Sequence, residues 1–166
     1  MKRLLRIALL ALLASAVFPA LAHQTPVGVW RLLPWVNALE GGADAVEPWG
    51  PHPLGFISYT PGGRMSAVVT APDRMISGGT GQQAGDEQQA RLYRTVFAYA
   101  GRYSIEAEGV VVHHVEVASD PAWVGTNQRR YIRIEGDRLT ITTAPVTILG
   151  ERAPRIHMLV WERVEP

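Results

Sequence analysis

The chain has 166 residues, with 16 Lys and Arg against 15 Asp and Glu, and it contains no Cys. So even a balance argues against nucleic acid or an anionic membrane as partner, because both demand a concentrated basic surface, and the only dense basic pair is Arg129-Arg130. The absence of Cys excludes disulfides, thiolate metal sites, thiol-linked haem and cysteine nucleophiles.

The first 22 residues read as a secretion signal. Lys2, Arg3 and Arg6 form the positive region, Ile7 to Val17 is an apolar run too short for a bilayer span, and Ala20-Leu21-Ala22 is a small-residue cleavage site. Cleavage after Ala22 predicts a mature chain of 144 residues with 13 basic and 15 acidic residues and no Lys. The expectation is a periplasmic or secreted protein with one domain over 23–166 and no membrane span in its mature form. Such a length buries about two-thirds of its extended-chain surface.

From His23 a polar lead enters Gly28-Val29-Trp30-Arg31-Leu32-Leu33, a strand-like hexad limited by Pro34. Gly41 to Pro53 is a Gly- and Pro-rich loop, long enough to cover something. Leu54 to Thr60 and Gly63 to Thr70 form a hairpin around Pro61-Gly62-Gly63. Ala71 to Gly85 is Gly-rich. Asp86 to Ala100 then reads as a helix with Asp86 as N-cap, Gln89 three residues on, and Leu92, Tyr93, Val96, Phe97 and Ala100 on one stripe that must pack on something apolar.

Strands resume at Arg102 to Ala107, turn at Glu108-Gly109 and continue through Val110 to Ala118, where Val111, His113, Val115 and Val117 share one face. Ser119 to Gln128 is a loop carrying Pro121, Trp123 and Gly125. Arg129 to Glu135 and Arg138 to Thr143 form a hairpin across Gly136-Asp137, with Arg130, Ile132 and Ile134 on one face, and Arg155 to Val164 is the last strand. About eight strands joined mostly by short turns, without parallel βαβ units, predict an all-β fold: an antiparallel up-and-down meander closed into a barrel, with one helix inserted over about 86–100. A barrel of that size can hold one small ligand.

Two strands thus send one polar group each, His113 or Arg130, into an otherwise apolar interior. Leaving such groups buried without partners costs roughly several kcal/mol each, so the interior reads as a binding cavity. In one reading both line that cavity and hold a carboxylate, enolate or phenolate head against Val and Ile walls. In the other each is satisfied internally, His113 by a carbonyl or Tyr hydroxyl and Arg130 by an acid such as Glu116 or Glu162. Tyr59 and Tyr103 share faces with apolar neighbours and are wall or donor candidates, and Trp123 can lid the pocket or pin its loop.

Gly28-Val29-Trp30 resembles the G-x-W motif of lipocalins, with Arg163 in Trp161-Glu162-Arg163 suited to lie over the Trp. The succession Gly28-Val29-Trp30, Gly55 to Tyr59, Gly63-Arg64-Met65-Ser66, His113-His114-Val115-Glu116, Trp123-Val124-Gly125-Thr126, Arg130 and Trp161-Glu162-Arg163 is similar to the bacterial and fungal lipocalin-like domain family. The resemblance implies a calycin-type barrel with a pocket, in which Gly28, Trp30 and Arg163 close the base. It carries no reaction.

His114 and Glu116 have the spacing of a base and its orienting carboxylate or of two metal ligands, yet read equally as an exposed pair. His52 and His157 are remote in sequence and supply no third ligand, so no metal and no cofactor is expected. Ser66 lacks a nucleophile elbow. The expected function is binding of a small, mostly apolar ligand, whose head can be anionic, by Tyr59, Tyr103, His113, Trp123 and Arg130. The alternative is a cofactor-free isomerase, cyclase or hydrolase using His113 as proton carrier and Arg130 as oxyanion stabiliser.

Overall fold

A computed structural model of the protein describes residues 25–39, 41–76, 78–147 and 153–166; the leader read over 1–22 lies outside them. Eight strands, β1 (Gly28–Leu39), β2 (Leu54–Tyr59), β3 (Arg64–Thr70), β4 (Val96–Ala107), β5 (Val110–Ala118), β6 (Asn127–Glu135), β7 (Arg138–Thr143) and β8 (Arg155–Glu165), each pair antiparallel with the next, and β8 returns to β1. Closure gives every strand two partners and removes the sheet edges. The alternation that marks these segments in the sequence is the inside–outside alternation of the wall. On β3, for example, Met65, Ala67 and Val69 are buried while Arg64, Ser66 and Val68 face out.

The short connections 60–63, 108–109 and 136–137 lie at one end, together with the start of β1 and the end of β8. The long ones, which join β1 to β2, β3 to β4, β5 to β6 and β7 to β8, leave and re-enter the wall at the other. The short-turn end is sealed. Trp30 is fully buried, donates from Nε1 to Pro26 O at 2.8 Å, and carries the Arg163 guanidinium 3.9 Å from its ring centroid. Arg163 also donates to Val27 O at 2.8 Å. Gly28 adopts φ +126, and a Cβ there would meet Arg163 and the Glu165 carbonyl within 2.7 Å, so glycine is required beneath that guanidinium.

Among the described residues four register shifts occur, and two of them decide which site residues point inward. Leu32 pairs with Trp161 but Trp35 with Leu159, so β1 carries one residue more than β8 across Leu33-Pro34. Pro34 therefore does not end the strand, as the sequence suggested; it sits in a bulge where its missing N–H costs no ladder bond, and Trp35 and Asn37 turn inward after it. On β5 the extra residue is Glu116: Ala100 pairs with Val117 and Gly101 with Val115. Ala118 joins the core instead of Val117, which is 61% exposed.

The predicted helix is shorter than its stripe implied. α1 (Asp86–Arg94) begins after Gly85, with Asp86 in its first turn and no longer the cap. It stops at Thr95, and Val96 to Ala100 pair with β3. The segment Val-Phe-Ala-Tyr-Ala has both periodicities, and pairing with β3, which buries Tyr99, overrides the helical one. α1 buries no residue. It is fastened by polar contacts instead, Arg74 donating to Leu92 O and Arg91 to Asp73 O.

Candidate functional site

The interior polar groups come from strand positions that alternation turns inward. His113 on β5 is completely buried. Its Nε2 lies 2.8 Å from the Tyr59 hydroxyl of β2 and its Nδ1 2.8 Å from the Tyr99 hydroxyl of β4, so both ring nitrogens are occupied. Burial, then the nearby charges of Arg130 and His114, pushes the His113 pKa down to about 3, and the ring is neutral at physiological pH. Burial also raises the Tyr59 and Tyr99 hydroxyls above the ordinary phenol value, with the Arg130 charge opposing that rise at both.

Tyr103 packs edge-on against Tyr59 with ring centroids 5.0 Å apart, and donates its hydroxyl to Thr60 O at 3.0 Å. It belongs to the sealed end. Arg130 on β6 is 7% exposed; it donates to Arg129 O at 3.0 Å and to Gln128 Oε1 at 3.4 Å, and lies 5.5 Å from the centroid of the Trp123 ring. Among the described residues it pairs with no carboxylate. Glu116 is held outside by Arg64 and Arg102, and Glu162 by Arg31. Among the described residues the buried polar ones are Asn37, His113, Arg130 and Arg155, none of them acidic, so no described anion inside the wall offsets the Arg130 charge.

An aromatic layer surrounds this charge. Trp123, from the 119–126 connection, packs edge-on against Phe97 with centroids 4.7 Å apart and tilted against Tyr99 at 5.4 Å, and Asp120 caps the short turn that holds it. Beyond the Pro34 bulge, Trp35 donates to Asn37 Oδ1 at 2.9 Å and His157 Nδ1 at 3.3 Å, and Trp49 of the 41–53 loop lies edge-on to it at 4.6 Å. The His157 pKa is lowered by burial and then by Arg130. The loop is anchored by the Asn37–Val46 bridge and by Arg155, which holds Asp44 at 3.0 Å.

Of the predicted residues, His113, Tyr59 and Tyr103 thus form one cluster towards the sealed end, while Arg130 and Trp123 stand towards the long loops; Tyr99 joins the two. Tyr99, Trp35, Asn37 and His157 were missed. Tyr99 was hidden in the overextended helix, though Phe97, Tyr99, Gly101 and Tyr103 read with period two. Trp35 and Asn37 fall on the inner face only because of the bulge. His114 faces outward, bonded at 2.8 Å to both Ser104 and Asn127. Ser66 bonds Ser58 on the exterior at 2.8 Å. A separate groove of about 380 Å³ lies outside the wall between α1 and the preceding segment, lined by Arg74, Gln89, Leu92 and Tyr93, and includes none of the interior polar groups.

A closed eight-stranded meander, sealed by Trp30 under Arg163 and holding polar groups inside beneath its long loops, defines a lipocalin-type barrel. The lipocalin-like domain family matches residues 27–164, and the chain belongs to that family. It is also 36% identical over 115 residues to the 4'-hydroxy-3'-methoxypropiophenone carrier protein ppsC of Aspergillus oryzae (strain ATCC 42149 / RIB 40), an alignment covering 60% of this chain and 96% of that one. Fold and relative together support binding of a small ligand.

Proposed function

We propose that the protein is a carrier for a small, flat, mostly apolar molecule with an electronegative oxygen, bound inside the barrel with that oxygen at Arg130. The observation that carries this reading is the buried Arg130 guanidinium, which meets no carboxylate among the described residues. An unpaired interior charge is costly, and a ligand oxygen offsets that cost while gaining a charge-assisted hydrogen bond. Trp123, Phe97 and Tyr99 provide aromatic faces beside it, and His113, Tyr59 and Tyr103 extend the wall towards the base. The relative named above as carrier of an aryl ketone favours the same ligand class. The enzymatic alternative asks His113 to exchange a proton with substrate, yet its ring is fully buried and both nitrogens already contact tyrosines, which favours the carrier.

Carriage outside the cytoplasm is part of the proposal, supported by the basic, apolar and small-residue succession of 1–22. N-terminal sequencing of protein from its own host is expected to begin at His23; a start at Met1 would remove that part.

The binding test is native mass spectrometry with thermal melting. One equivalent of 4'-hydroxy-3'-methoxypropiophenone, or of a related aryl ketone or aryl carboxylate, is expected to be retained and to raise the melting temperature. A protein that gains neither mass nor stability with any aryl ketone, phenol or aryl carboxylate would overturn the carrier reading.

A further inference from the structure

We propose that Tyr59, His113 and Tyr99 form a one-way hydrogen-bond relay that leaves the Tyr99 hydroxyl proton free beside Arg130, so that the site selects a head group that only accepts hydrogen bonds. Ketones, carboxylates and phenolates qualify; alcohols and neutral phenols do not. The inference rests on the carrier reading for its ligand and on the barrel interior for its polarity.

A neutral imidazole has one N–H and one acceptor nitrogen, so His113 donates to one tyrosine and accepts from the other. Two polarities exist. If Nε2 carries the proton, it donates to Tyr59 and accepts from Tyr99 at Nδ1, and the Tyr59 proton is left over. Tyr59 is 2% exposed, its hydroxyl has no described partner other than His113, and its neighbour Tyr103 gives its own proton to Thr60 O. Stranding a buried hydroxyl proton there leaves its desolvation uncompensated. If Nδ1 carries the proton, Tyr59 donates to Nε2, Nδ1 donates to the Tyr99 oxygen, and every polar atom of the deeper tyrosine is satisfied.

The free proton then belongs to Tyr99, which touches the partly buried Phe97 and Trp123 and lies closer to the long loops. The Arg130 charge favours the same direction, since it draws the Tyr99 oxygen towards itself and turns the O–H dipole away. Other interior groups agree. Gln128 Oε1 already accepts from Arg130 and Asn37 Oδ1 from Trp35, while the buried Trp161 Nε1 donor has no acceptor among the described residues. Among the described residues the interior thus has a donor to spare, while its two side-chain amide oxygens each already hold one. A ligand hydroxyl that must donate is left unpaired, whereas a carbonyl or oxyanion is matched.

Two measurements test this. Long-range proton–nitrogen NMR on the histidine-labelled protein is expected to show His113 as the Nδ1–H tautomer. Observation of the Nε2–H tautomer, or of an imidazolium at pH 7, would overturn the relay while leaving the carrier reading intact. Calorimetric titration with propiophenone and its alcohol, 1-phenylpropan-1-ol, is expected to show the ketone bound about tenfold or more tightly. Tyr99→Phe should abolish that preference and Tyr131→Phe, on the outer wall, should keep it. Equal affinities for ketone and alcohol, or a preference that survives Tyr99→Phe, would overturn the selectivity. If neither compound binds, the carrier reading fails, and the tautomer alone decides the relay.

Discussion

The Tyr99 hydroxyl stands 2.8 Å from His113 Nδ1, joining β4 to β5 inside a wall where His113 has no contact with solvent. Folding therefore holds the imidazole neutral, with a pKa of about 3 against 6.5 for a free histidine. Between these values the unfolded chain binds a proton that the folded one does not, so stability is complete above pH 6.5 and falls as pH drops towards 3. The lowered His157 pKa acts in the same direction. Urea denaturation from pH 7 to 4 is expected to lose about 3 kcal/mol. His113→Gln should be less stable at pH 7 and show a flatter pH dependence.

Gly101 faces β5 at the bulge, where an added Cβ would lie 1.9 Å from the His114 carbonyl. Its three nearest neighbours are all β5 backbone atoms, so nothing can rotate away. Gly101→Ala is expected to destabilise by about 3 kcal/mol or more or to prevent folding. Gly62→Ala, whose nearest neighbour is the Thr60 hydroxyl at 3.9 Å, should change stability by less than about 1 kcal/mol, and thermal melting separates the two.

Arg163 covers Trp30 and holds Val27 O at the sealed end. Arg163→Ala removes a cation–π contact and a charged hydrogen bond, a loss of about 2–4 kcal/mol. Because that end is remote from the long loops, the affinity of folded protein for ligand should stay unchanged.

Trp49 reaches from the 41–53 loop to lie on Trp35. Trp49→Ala loosens that loop at the end where the proposed ligand would enter and leave. Stopped-flow fluorescence is expected to show ligand dissociation accelerated several-fold, with a smaller change in association.

The barrel was legible because its evidence is local: alternation along Met65 to Val69 or Val111 to Val115, and glycine turns between strands. The G-x-W head likewise announced the sealed base, since Gly28, Trp30 and Arg163 need only be named to be placed. The site was legible in part. His113 and Arg130 interrupt apolar faces and are visible for that reason. Which partners meet them depends on strand register across the barrel, and the bulges at Pro34 and Glu116 shift that register by one residue each. Those shifts turn Trp35, Asn37 and Ala118 inward and Val117 outward. Tyr99 was lost differently. Its segment satisfies helical and strand periods together, and only the β3 partner decides between them.

In the proposed carrier, Arg130, buried and without a carboxylate among the described residues, anchors the ligand oxygen. The measurement that tests it most directly is the affinity of the protein and of Arg130→Met for one aryl carboxylate and its matched aryl ketone, with melting temperatures measured alongside. The variant should bind the carboxylate about 30-fold or more weakly and the ketone more weakly by a smaller factor. The empty variant should melt no lower than wild type, because an interior charge with no carboxylate among the described residues has been replaced by an apolar chain. Undiminished affinity for both ligands in a folded Arg130→Met variant would contradict it.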